Sequence, residues 1–303
     1  EGRPGRFSGQ SSDVVIGANA GFDANGRGFS TVNGPGAGRN ATTYKGGGGY
    51  GGRGGSSVEG TMGGVTYGSV EAPVDPGSGG GTYWFTGRSG ASGGGLVRLE
   101  AGGRITLQGT LTANGTTRTN GLAQNFAAGG SGGGIFVKCQ TFGGSGGLVQ
   151  AKGGDGTSTV VPGTGSGGGG GGRIAIDYQQ VDVTHDVRFT AAPASASWAY
   201  GDLNNFWRRR PVMGTLSLPD TALLPNPLTP EFADDVFLSF TGTSAWNVDN
   251  LTVSNCTVSF AGNGFLLRIT NNLLVTAAGD LGIGGDSSGS NCMLAVGGSL
   301  LLT

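Results

Sequence analysis

Apolar residues along this chain arrive in short bursts fenced by glycine. Ile105 and Leu107 alternate with polar neighbours, Ile174 and Ile176 do the same, and the stretch from Leu96 to Glu100 does so in part. Period-two alternation turns one row of side chains to a core and the next to a surface, so these bursts read as strands with one buried face. From Val236 onward the pattern returns in FLSF, NLTVSNCTVSF, FLLRIT, LLVTAAG, LGIGG, MLAVGG and SLLLT, about every ten residues with Asn or Gly turns between.

The bursts are repeated. Ser92-GGG-LVRL, Ser131-GGG-IFVK and Ser166-GGGGGG-RIAID share one plan, and their first apolar strand residues, Leu96, Ile135 and Ile174, lie thirty-nine residues apart each time. A flexible linker keeps no such register. A weaker set lies between: Leu111-Thr-Ala-Asn-Gly115, Leu148-Val-Gln-Ala-Lys-Gly-Gly154 and, near the start, Phe22-Asp-Ala-Asn-Gly26. Half a period, ~20 residues, suits one coil of a β-solenoid, in which each repeat offsets its ordering entropy only by stacking on its neighbours.

Glycine supplies 68 of 303 residues, about three times its usual share, while charged residues make up only 12%. Without a strict three-residue period this is not collagen. The 36% hydrophobic fraction, gathered in clusters, argues for a folded β-rich protein over a disordered one. The glycine-rich segments 46–55, 129–134 and 163–172 then have two readings: tight corners using φ > 0, or extended threads that pack side by side and hydrogen-bond laterally.

The succession DANGRG, GGGGYGGRGG, YGSVEAPVDPGSGGG, SGGGIFVK, LVQAKGGDG and GGGGGGRIAIDY resembles the glycine-rich repeat region of very large secreted or surface-anchored proteins of protists, algae and some bacteria. The resemblance covers roughly residues 14–178. It implies an extracellular, β-solenoid-like structural segment and brings no catalytic residues. The expected architecture is all-β: a glycine-rich parallel β-solenoid over 1–180, a Pro/aromatic-rich connector or arm over 181–235, and a second β-rich solenoid or sandwich segment over 236–303. Prolines at 193, 211, 219, 225, 227 and 230 argue against central strands in the connector. The opening Glu1-Gly-Arg-Pro-Gly reads as a processed terminus or fragment boundary, and GGSLLLT suggests a chain continuing past Thr303.

Charge and chemistry narrow the function classes. A net charge of −1 and a pI near 5.8 leave no electrostatic footprint for nucleic acid. No apolar run reaches the ~18 residues of a membrane span. His185 is the only histidine and has no neighbouring ligand type, so it reads as an exposed strand residue. Glu59, Glu71, Asp75, Glu100, Asp155 and Asp177 are scattered one per coil or loop, which disfavours the carboxylate clustering of a carbohydrate-active β-helix enzyme. Glycine patterns of the dinucleotide type occur without the strand-turn-helix context they need. GGDG at 153–156 matches one element of a calcium-binding nonapeptide but is not tandem, so it reads as a turn, with calcium the alternative and no other cofactor expected.

Sequons fall at Asn40, Asn114, Asn250 and Asn255, glycan sites if the protein is eukaryotic and secreted. Cys256 and Cys292 are candidates for a bridge between neighbouring strands, with buried free thiols the equal alternative. Trp198, Tyr200, Trp207, Arg208, Arg209 and Arg210 form a candidate contact region for a partner subunit or an acidic glycan. The leading expectation is a structural, self-associating extracellular or cell-surface protein, such as the protomer of a filament. The alternative is a glycan-binding adhesin presenting Tyr83, Trp84, Trp198 and Trp207.

Overall fold

In the computed structural model, residues 6–57, 59–82, 91–117, 127–157, 165–195, 210–262, 264–276, 278–284 and 292–303 are described. Every strand pairing among them is parallel, and the molecule is all-β. The chain is laid down in tiers. The first holds β1 (Arg6–Ser11), β2 (Val14–Ile16) and β3 (Gly21–Asp23), and the second β4 (Leu96–Ala101), β5 (Arg104–Leu107) and β6 (Thr110–Thr112). The third and fourth are single long strands, β7 (Gly134–Gln150), which runs past β4, β5 and β6, and β8 (Arg173–Thr190), which pairs along β7. Next come β9 (Gly214–Leu218) and β10 (Ala233–Asp234). Then follow β11 (Val236–Phe240), β12 (Ala245–Val248) and β13 (Leu251–Ser254); β14 (Thr257–Phe260), β15 (Leu266–Ile269) and β16 (Leu273–Thr276); and finally β17 (Asp280–Ile283), β18 (Met293–Val296) and β19 (Leu300–Leu302).

The main sheet runs β1-β4-β7-β8-β9-β11-β14-β17. Its inward row is one ladder: Val97, Ile135, Ile174, Leu216, Leu238, Phe260 and Ile283 are successive register partners. All but Ile283 are buried. A second row joins Val14, Ile105, Phe142 and Val181, and a third joins Phe22, Leu111, Val149, Phe189 and Ala233. These rows converge on one continuous core, because in-register parallel stacking puts like side chain over like. The aromatic end of that core is stacked: Phe260 and Phe265 lie 5.5 Å apart between centroids, with Phe240 4.8 Å from Phe265.

Three expectations change. The thirty-nine-residue offset is the true register between β7 and β8, but Ile135 pairs with Val97 and not Leu96. One period builds one tier, not two, because the described residues between β7 and β8, 151–157 and 165–172, lie outside the strands and are largely glycine thread. The proline-rich stretch 181–235 is not free of regular structure: β8 extends to Thr190, and β9, buried along its length, is a central strand between β8 and β11. Its proline, Pro219, falls just after β9, where no ladder N–H is lost.

Candidate functional site

The residues between tiers gather beside the main sheet as buried glycine threads. Gly48 donates its N–H to the Gly129 carbonyl at 2.9 Å, Gly129 to Gly167 at 3.0 Å, Gly132 to Gly170 at 2.9 Å, and Gly170 back to Gly48 at 2.9 Å. Threads 46–49, 129–134 and 166–172 therefore close a triangle of hydrogen bonds. None of these glycines has positive φ, so the corner reading does not apply to them. Space decides: a Cβ on Gly129 would fall 1.7 Å from the Gly154 carbonyl oxygen. Backbones packed this tightly leave no N–H or C=O to water, and each must find a partner in the next thread.

Three of the serines that open glycine runs supply acceptors beside the backbone carbonyls. Buried Ser131 accepts the Ser78 N–H on its Oγ at 2.8 Å, Ser78 Oγ accepts the Gly36 N–H at 3.0 Å, and Ser166 Oγ accepts the Lys45 N–H at 3.1 Å. Ser78-Gly-Gly-Gly81 is thus a further copy of the serine-glycine motif. Lys45 is buried among the threads, its Nζ donating to the Thr43 carbonyl. Burial pushes its pKa down to about 8, against the opposing pull of Glu59.

Arg173 ties the threads to the sheet. It is the first residue of β8 and lies buried, Nε donating to the Tyr67 carbonyl at 2.8 Å, its guanidinium 5.5 Å from the Tyr50 ring centroid. Tyr50 and Tyr67 meet at 4.7 Å, and the Tyr67 hydroxyl accepts from Ser78 Oγ at 2.9 Å. Burial lowers the Arg173 pKa and raises both tyrosines well above their ordinary value, so the cluster stays a guanidinium among neutral phenols.

The scattered carboxylates do not converge. Glu100 pairs with Arg98 at 2.6 Å and Asp177 with Lys138 at 2.6 Å. Glu100, Lys138 and Asp177 are register partners, an alternating-charge row across β4, β7 and β8. GGDG at 153–156 is extended thread and not a turn, and its Asp155 accepts the Ser195 N–H at 2.8 Å and so links segments. Among the described residues, no group of three or more His, Cys, Asp or Glu is placed to hold a metal.

The sequons differ in what their carboxamides do. Asn114 is consumed: its Oδ1 accepts the Lys152 N–H at 2.7 Å, its side-chain amide donates to Gln150 at 2.8 Å, and its own N–H reaches Asn25 at 2.6 Å. Asn250 accepts the Asn272 N–H at 3.2 Å, and Asn272 in turn accepts the Ser299 N–H at 3.1 Å. With Asn226, bonded to the Thr252 N–H at 3.3 Å, these form an asparagine ladder up one corner. Asn40 is exposed and accepts the Thr82 N–H at 2.8 Å, and Asn255 is exposed at φ 54°. Cys256 and Cys292 carry no bridge. Cys256 precedes β14 and turns its thiol to the Leu228 carbonyl, whereas Cys292 precedes β18, in another stack, with its thiol on the Phe260 and Gly262 carbonyls. Trp198, Tyr200, Trp207, Arg208, Arg209, Tyr83 and Trp84 lie outside the described residues, and Arg210 is exposed.

The sequence reading passed over one feature. β8 carries extra residues against β7, the register jumping between Phe142/Val181 and Gly144/His185, so 182–184 bulge outward with Val183 96% exposed. Between this lip and the segment 223–232 opens a cleft of about 500 Å³. Val187, Leu223 and Phe232 floor it, Pro225 and Pro227 wall it, and Thr184, His185, Asp186, Thr229 and Glu231 bring polar groups to it. His185 Nδ1 lies 2.8 Å from the Asp182 carbonyl, which can only accept, so Nδ1 carries a proton. Hydrogen bonding from Thr229 holds the Glu231 carboxyl below its ordinary pKa, with Arg188 acting in the same direction. Arg104 pairs with Asp182 on the same bulge. The signal in the sequence was VDVTHD facing LLPNPLTPEF, which only the fold brings together.

No helix is long and apolar enough to cross a membrane among the described residues. Comparison with known protein families, with curated proteins and with solved structures finds no match to this chain.

Proposed function

We propose that the tiers are coils of one parallel β-solenoid and that the protein is an extracellular structural element that associates with copies of itself, the protomer of a filament or surface appendage. The observation that carries this reading is the repeating plan of the tiers, in which like side chains stack in register from Val97 through Ile135, Ile174, Leu216 and Leu238 to Phe260. A stack that extends by simple repetition within one chain can also extend between chains, and a head-to-tail contact that does not close grows a fibre. The asparagine ladder supports the same reading, since each carboxamide serves the tier beside it and the pattern extends by simple repetition. In this role the chain needs no cofactor and performs no catalysis.

Negative-stain electron microscopy across a concentration series tests it. Elongated assemblies that lengthen with protein concentration are expected. Monodisperse single particles at every concentration and salt level overturn the proposal.

A further inference from the structure

The cleft between the β8 bulge and residues 223–232 belongs to no part of the self-association reading. It has the size of a small-ligand site, an apolar floor and a few polar groups at the rim. Two observations bear on what would enter. First, the floor and walls, Val187, Leu223, Phe232, Pro225 and Pro227, suit a flat apolar face, and Phe232 is fixed edge-on against Phe189 at 5.6 Å, so the floor is rigid. Second, the charged groups that line the cleft are carboxylates, Asp186 and Glu231. Asp182 on the bulge is paired with Arg104 of β5, and exposed Arg188 acts on Glu231 from beside the rim, which leaves the rim with a net negative charge. Hydrogen bonding from Thr229 favours the ionised form of Glu231. Both carboxylates accept hydrogen bonds, so the rim favours a cation that can donate them.

From the cleft's size, its apolar floor and its acceptor-rich anionic rim, we propose that it binds a small organic cation with an apolar face, the chemical class that includes protonated amino sugars. The ammonium group would lie between Asp186 and Glu231, and the ring face would rest on Phe232 and the prolines. The site is independent of whether the tiers assemble, because the residues involved lie on β8 and on 223–232, away from β17–β19.

The chain supplies its own reporter, since His185 is its single histidine and gives one imidazole signal set. The full chain is titrated with the glucosamine disaccharide, and separately with cellobiose, which has the same ring skeleton without the amines. Saturable shifts of the His185 ring signals with the amino sugar are expected, at an affinity at least about tenfold above that for cellobiose. Glu231→Gln and Asp186→Asn, both isosteric and exposed, are each expected to weaken amino-sugar binding severalfold while leaving the melting temperature unchanged. No shift of His185 with the amino sugar, equal binding of cellobiose, or binding indifferent to both substitutions overturns the proposal. If assembly broadens the signals, equilibrium dialysis of the same two sugars against wild type and both variants gives the same decision.

Discussion

Asp235 shows how a single residue can work against its own fold. It sits at the turn from β10 to β11 with φ 52°, in the left-handed region. Burial, then the neighbouring Asp234 charge, raises its carboxyl to about 6, with Lys152 opposing. A raised acid pKa means the folded chain binds more protons than the unfolded one between about 4 and 6, so stability falls as pH rises through that window and stays low above it. Asp235→Asn removes the charge, and asparagine tolerates this backbone region well. The variant should gain about 1 kcal/mol at pH 7.5, a figure reduced for the group's partial contact with water, and nothing at pH 4. Thermal melts at the two pH values check this. A gain of equal size at both would mean that backbone strain, and not the buried charge, is the cause.

At the scale of elements, two kinds of extended segment coexist, held by different means. The strands bury alternating side chains in register, as in the ladder from Val97 to Ile283. The glycine threads have no side chains to bury and hold together by backbone hydrogen bonds at close approach, with serine hydroxyls filling the gaps. Gly129→Ala should therefore cost at least about 3 kcal/mol, since its Cβ would meet backbone and not a side chain able to move. Gly102→Ala, at an exposed position with nothing within 4 Å, should change stability by less than about 0.5 kcal/mol. Urea unfolding of the pair measures the contrast. Equal small effects would place the threads in water.

The molecule as a whole is two scaffolds locked at Arg173, the first residue of β8, which directly follows the six glycines 167–172. A loop draped over a sheet would exchange its amides quickly, whereas a thread bundle continuous with the core opens only when the core does. Hydrogen exchange should protect the Gly48, Gly129 and Gly170 amides to within about tenfold of Ile135 and Ile174. Exchange of those glycines at rates typical of open loops would separate the scaffolds and refute the lock.

Much of this was legible along the chain. Period-two alternation marked β5 and the start of β8, and the thirty-nine-residue spacing was the real register of β7 on β8. The weaker motif was real too: Phe22, Leu111 and Val149 are register partners. β9 was hidden because proline density was weighed over the segment, while proline matters only at the residue whose N–H the ladder needs. The β10 pairing was missed because two residues carry no period. The cleft was missed because its two sides are separated by some forty residues of chain and neither looks unusual alone.

What the sequence by itself determined is local and periodic: that the chain is all-β, where most strands start, and that the glycine runs keep register with them. These follow from side-chain alternation and spacing, which are properties of neighbouring residues. Only the tertiary structure decided whether glycine touches glycine or water, which asparagines share a ladder, and which side chains meet at the His185 cleft. Those depend on how far each tier is offset from the next, and that offset is set by the whole stack at once.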